Sequence, residues 1–182
     1  AHLAKSKAAA DVSTAGLTDA EISAISMYTG GDYRTMNPTL QGSDWLAKMV
    51  APFADPDVAG VWCRQVPREV CQPVLKRRIL GWPGWGEGVT EKQLPAGRQL
   101  GELPPFEQLM LCAFDNVASA IRRSAWQRFP LGPRRFGEDV YFGKRVIEAG
   151  LKLAHQGGAA VVHSHDRSAW SEGKRTFCDH RN

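Results

Sequence analysis

The stretch "RRFGEDVYFGKRVIEAG" (134–150) sets two adjacent carboxylates, Glu138 and Asp139, at the start of an amphipathic helical pattern. Carboxylates there can do either of two things. They can satisfy the exposed N–H groups and the positive end of the helix macrodipole, a contribution of about 0.3 to 1 kcal/mol. Where one faces a cleft, it can instead take a proton from a hydroxyl nucleophile. Spacing alone favours the first reading. A second group is "VVHSH": His163 and His165 alternate along an expected strand, so they point to opposite faces and cannot share a metal unless the strand ends there. A zinc site from His163, His165, Cys178 and His180 is conceivable but matches no strong zinc spacing. The basic groups Lys76-Arg77-Arg78, Arg122-Arg123 and Arg134-Arg135 suit phosphate, which Arg grips with a bidentate fork, although solvated surface is the commoner role. Trp82 and Trp85 offer rings that can stack on a sugar or base, or pin their loop to the core.

These residues need a frame. "SDWLAKMVAPFADP" predicts a helix capped by Ser43 or Asp44, with Leu46, Val50 and Phe53 on one face. "DVAGVWCRQ" follows as a short buried strand, and a helix passing quickly into a strand is an α/β signature. Residues 81–105 are so rich in Gly and Pro that regular structure is not expected to persist, and long loops of this kind are usually functional or mobile. Order resumes with "FEQLMLCAF" as a helix, "NVASAIRR" as a strand and "SAWQRF" as a turn of helix. The helix from Glu138 places Phe142, Val146 and Ala149 on one face beside Ile147, and Gly150 ends it. "LKLAHQ" and "AAVVHSH" predict two further strands. Upstream, "LTDAEISAI" carries a capping box between Thr18 and Glu21, with Leu17 and Ile22 at the staple positions.

The 182 residues, 43% apolar and 23% charged, suffice for one well-cored soluble domain and exclude disordered and fibrous classes. A net charge of +4 favours acidic ligands without choosing among nucleic acid, nucleotide phosphate and membrane surface. Four cysteines without a CxxC pair suggest reduced thiols and a cytoplasmic setting. No apolar run approaches the ~20 residues of a membrane span, and no secretory h-region is present. A start at Ala rather than Met suits a processed product or a fragment.

Taken in order, "DWLAKMVAPFADPDVAGVWCRQVPRE", "FDNVASAIRRSAWQRFP" and "FGEDVYFGKRVIEAGLKLAHQGGAAVVHSHDRS" resemble family 2 glycosyltransferases of the GT-A fold, particularly bacterial rhamnosyltransferase-like enzymes of cell-surface polysaccharide biosynthesis. The resemblance covers residues 44 to about 168. It implies inverting transfer of a sugar from a nucleotide-sugar donor to a hydroxyl of a glycan or lipid-linked acceptor, with no nucleic-acid partner. Asp139 would be the base and Glu138 would shape the acceptor site. Asn116, Ser119, Arg122 and Arg123 would lie on the acceptor side; Trp82 and Trp85, by residue type alone, are the further substrate-binding candidates. His163 or His165 would join a Mg²⁺ or Mn²⁺ site. The resemblance also implies a cytoplasmic enzyme, with peripheral association at the cytoplasmic face of the inner membrane. The family places an Asp-x-Asp motif shortly before the "DW" helix, where this sequence reads "TMNPTLQGS". The fold expected is therefore α/β, a partial GT-A fold lacking most of the N-terminal donor-binding half, and an inactive or truncated transferase is part of that expectation. Residues 17–40, "LTDAEISAISMYTGGDYRTMNPTL", resemble a helical segment of ADP-ribosyltransferase toxin-like domains, although the Gln/Glu-x-Glu pair of those domains is absent. The expected division is an N-terminal ADP-ribosyltransferase-like segment (1–42) and a glycosyltransferase-like domain (43–182). An NAD-using ADP-ribosyltransferase and a non-catalytic nucleotide-sugar-binding module are the alternatives.

Overall fold

The structure, a computed structural model, describes residues 44–81, 86–131, 137–164 and 168–181. The capping box at Thr18, the ADP-ribosyltransferase-like segment, Trp82, Trp85, Arg134, Arg135 and His165 lie outside the described residues, and the side chains of Cys178 and His180 are likewise not described.

The described chain is a mixed α/β structure built on one four-stranded sheet. Helix α1 (Trp45–Val50) runs into a 3₁₀ turn (Ala51–Ala54) and then strand β1 (Val58–Val66). Helix α2 (Pro73–Leu80), strand β2 (Val89–Lys92), a 3₁₀ turn (Leu100–Glu102) and helix α3 (Pro105–Cys112) follow. Strand β3 (Ser119–Ile121), helix α4 (Arg123–Arg128), helix α5 (Glu138–Glu148), strand β4 (Lys152–Val162) and helix α6 (Ala169–Arg181) complete it. The sheet order is β2-β4-β1-β3. The central pair β1 and β4 is parallel, and β3 and β2 flank it antiparallel.

Both faces of the central strands are buried, which explains why β1 reads as a nearly continuous apolar run. On one face Trp45, Met49 and Phe53 pack against Val58, Val61, Cys63, Ala154 and Val161. The helix thus presents Trp45 and Met49, with Phe53 one turn on, while Leu46, expected in the stripe, is only partly buried. On the other face Phe142, Val146 and Ile147 of α5 join Trp62, Phe114, Ile121, Phe129 and Leu153. A register shift between Val58 and Gly60 lets Val58 and Val61 share one face while Ala59 and Trp62 take the other.

Two expectations are revised. "LKLAHQ" and "AAVVHSH" are one strand, β4, whose pairing steps from Cys63 opposite Gln156 to Arg64 opposite Ala160. The extra residues form an irregularity at Gly157, where a Cβ would overlap the Gly86 carbonyl and the Gly157 N–H instead donates to Gly88 O at 2.9 Å. The Gly/Pro-rich stretch does contain a strand, β2, fixed by pairing to β4 rather than by its own exposed side chains.

Candidate active site

Because α5 turns through Gly150 directly into β4, the helix N-terminus lies at the C-terminal end of the parallel strands. Three other segments reach the same end. His163 follows β4, and its N–H donates to Val66 O at 2.8 Å at the finish of β1. Gln65 is the penultimate residue of β1. Asp115 and Asn116 enter β3, which runs antiparallel with Trp62 opposite Ser119, so they approach Gln65. In open α/β sheets the crevice beyond the carboxyl ends of the strands is where ligands bind.

Local structure fixes each group. Gly137, with φ of 71°, turns the chain so that Glu138 and Asp139 become the first helical residues, and its carbonyl accepts from the Tyr141 N–H at 2.9 Å. Gly143 lets α5 approach the end of α3, since a Cβ there would overlap the Cys112 carbonyl. The end of α3 is itself held by Lys92, whose Nζ donates to Met110 O at 2.8 Å and Ala113 O at 3.0 Å while lying 4.7 Å from the centre of the Trp62 ring. Burial brings this ammonium down to about 8. Past α3, Asp115 Oδ1 accepts from the Val117 N–H at 3.0 Å, and the Gln65 amide donates to Oδ2. Ser119 Oγ donates to Asn116 Oδ1 at 2.9 Å, both residues being buried.

Asp139 is partly buried, and its Oδ1 accepts from the Val140 N–H at 2.8 Å. Burial pushes its carboxyl up to about 6 against that hydrogen bond, and the charges of Glu138 and Asp115 push the same way. Asp115 is also raised, by burial that outweighs the bonds from Val117 and Gln65. Two carboxyls that each resist ionisation thus lie close enough for the charge of Asp115 to raise Asp139, and Asp139 sits in the range suited to accept a proton near neutrality. The neighbouring thiol takes no such role: burial, then Asp115, pushes Cys63 up to about 12.

Among the residues singled out by sequence, the topology sets Asp139, Glu138, Asn116, Ser119 and His163 at the same end of the sheet, with Asn116 bonded to Ser119. It separates Arg122 and Arg123. The Arg122 guanidinium donates to Val58 O, Phe53 O and Asp55 O at 2.8 to 2.9 Å, at the opposite end of the sheet, and it ties β3 to the start of β1. Arg123 begins α4 at that same far end and is exposed. Asp115 and Gln65 are the residues that sequence reasoning missed. An Asp before a strand looks like ordinary turn chemistry, and its partner is fifty residues away. Among the described residues no three His, Cys, Asp or Glu side chains come together as a metal-binding set. His163 would need ligands from beyond them, so no step below runs through a metal.

Two curated proteins place this geometry in context. The O-antigen chain rhamnosyltransferases RfbN of Salmonella typhimurium and WbaN of Salmonella anatum are each 26% identical to the chain over 148 residues, 80% of this chain. This is a distant relationship to glycosyltransferases. The chain spans 44% of the length of these relatives. No protein-family model matches the chain, and no solved structure matches it.

Proposed function

We propose that the chain forms the acceptor-side part of an inverting family 2 glycosyltransferase of the GT-A type, with Asp139 as its base. The observation that supports this reading is the half-buried Asp139 in the first turn of α5, raised to about 6 by burial and by the charges of Glu138 and Asp115, at the end of the sheet where Gln65 bonds Asp115. The acceptor hydroxyl gives its proton to the Asp139 carboxylate as its oxygen bonds to the anomeric carbon. The bond from that carbon to the nucleoside diphosphate breaks, and the diphosphate leaves with the electron pair. Glu138 flanks the acceptor, and the buried Asn116–Ser119 pair holds the loop that carries Asp115. The Mg²⁺ or Mn²⁺ that the resemblance implies is left out of this step, because His163 has no two further ligands beside it among the described residues. The donor is a nucleotide-sugar and the acceptor a glycan or lipid-linked sugar; the support is that the two relatives are named O-antigen chain rhamnosyltransferases. The reduced, buried Cys63, Cys71 and Cys112 favour a cytoplasmic setting.

The test is calorimetric titration of the chain with UDP-, GDP- and dTDP-sugars, with and without Mn²⁺, followed by a transfer assay on any donor that binds. Binding of one donor, with transfer abolished in Asp139→Asn at unchanged donor affinity, is the expected outcome. Absence of binding to all three, or transfer retained by Asp139→Asn, removes the assignment.

A further inference from the structure

Two arginines share one aromatic ring on the flank of α5. Phe129, at the end of α4, is buried, and the guanidinium carbons of Arg128 and Arg145 lie 4.8 and 5.1 Å from its ring centre. Arg145 also lies 5.8 Å from the centre of the Tyr141 ring, and its Nη2 donates to Arg128 O at 3.2 Å. A guanidinium stacked on a ring keeps donors along its edge for a further partner. Among the described residues no carboxylate forms an ion pair with either one. The acids of α5 are placed otherwise: Glu148 faces Lys144 at 3.7 Å, and Glu138 lies two turns back from Arg145. Two like charges gathered on one ring repel, and an anion held by both removes that cost.

We propose that Arg128 and Arg145 form a clasp for an oxyanion, a phosphate or a carboxylate. Both groups match the guanidinium fork, which can meet them with two parallel N–H···O bonds. The clasp is a point site. A nucleic-acid backbone needs a run of cations, and Glu138 and Glu148 interrupt the positive charge along α5. Position gives the clasp its meaning. Glu138, Tyr141 and Arg145 follow one another at i, i+3 and i+7 along one side of α5. Arg145 stands about 9 Å beyond Asp139 along the same axis, so one small molecule can touch both. Resting on the transferase reading above, this makes the acceptor anionic: a sugar phosphate or a uronic acid whose charge is seated by the arginines while its hydroxyl meets Asp139. A neutral glycan would leave the clasp unused.

The test is NMR observation of the arginine Nε–Hε signals of the full chain, titrated with inorganic phosphate and separately with glucuronate, against sodium chloride at matched ionic strength. The Arg128 and Arg145 signals should shift to saturation with phosphate, with glucuronate or with both, and not with chloride. A response to phosphate alone assigns the clasp to phosphate esters, and a response to glucuronate alone assigns it to uronic acids. Arg128→Gln and Arg145→Gln should each weaken binding at the remaining arginine about tenfold. Arg128 is exposed, so Arg128→Gln keeps the fold and the test even where Arg145→Gln does not. No saturable shift, an equal shift with chloride, or undiminished binding in Arg128→Gln overturns the proposal. The result separates from the transferase reading: a saturable shift in a chain that binds no nucleotide-sugar still supports the clasp, and its absence in a chain that transfers sugar overturns the clasp alone.

Discussion

Replacing Asp139 by Asn should make the protein more stable at neutral pH. Folding moves this carboxyl from 3.8 to about 6, a rise of about two units. At 1.36 kcal/mol per unit this makes the ionised form about 3 kcal/mol worse in the folded chain than in the unfolded one, and partial solvent access reduces that to about 1 to 3 kcal/mol. An amide carries no charge to desolvate, and its oxygen can still accept from the Val140 N–H, so the helix start survives. The sign follows from linkage. Because the folded value lies above the unfolded one, the stabilising effect of the protonated group is complete below 3.8 and is lost as pH rises through about 6. Wild type should therefore lose stability across this window relative to Asp139→Asn. The two unfolding free energies should draw together near pH 4 and separate by about 1 to 3 kcal/mol at pH 7. Asp115, also raised, contributes to both proteins and largely cancels in the difference. Urea unfolding at several pH values measures the gap, and thermal melting should show it as about 2 to 4 °C per kcal/mol. A variant equal to or less stable than wild type at pH 7, or a gap that does not change with pH, would refute the picture of a desolvated base.

Other perturbations probe its surroundings. Asp115→Asn removes a charge that raises Asp139, so carboxyl titration by ¹³C NMR should find Asp139 lower in that variant than in wild type. Gly143→Ala forces a methyl group onto the Cys112 carbonyl and should destabilise the fold by about 1 to 3 kcal/mol in urea unfolding. Arg122→Met strips three backbone carbonyls of their donor and should cost about 2 to 4 kcal/mol. The same variant should leave the Asp139 titration unmoved, because Arg122 acts at the other end of the sheet.

The helix at Glu138 was readable because every local signal agreed: an acidic first turn, an apolar stripe at Phe142 and Val146, and a glycine stop with φ of 77° at Gly150. β1 was readable because burial on both faces leaves a run of apolar residues in the sequence. β2 was not, since its side chains are mostly exposed and what selects its conformation is the free edge of β4. Gly157-Gly158 looked like a break between strands, yet the missing side chains make room for the neighbouring Gly86–Gly88 backbone within one strand. Arg122 misled for another reason: its type suits phosphate, but three carbonyls within reach consume its donors. In α6 the large apolar side chains that are described, Trp170 and Phe177, are exposed, so periodicity had no buried stripe to detect among them. Asp115 shows the general limit, because its meaning depends on a strand pairing that no local window contains.

The close approach of α5 to α3 at Gly143 has a chemical reach beyond packing. Asp139 rides on one of these helices, and Asp115 hangs from the end of the other through the strap that Lys92 holds. Sliding either helix changes the depth of one carboxyl and its distance from the second charge together. The acidity of Asp139 is thus a gauge of how tightly the two helices are seated, and an agent or mutation that loosens the core should first be seen as a more acidic side chain, before any strand comes apart.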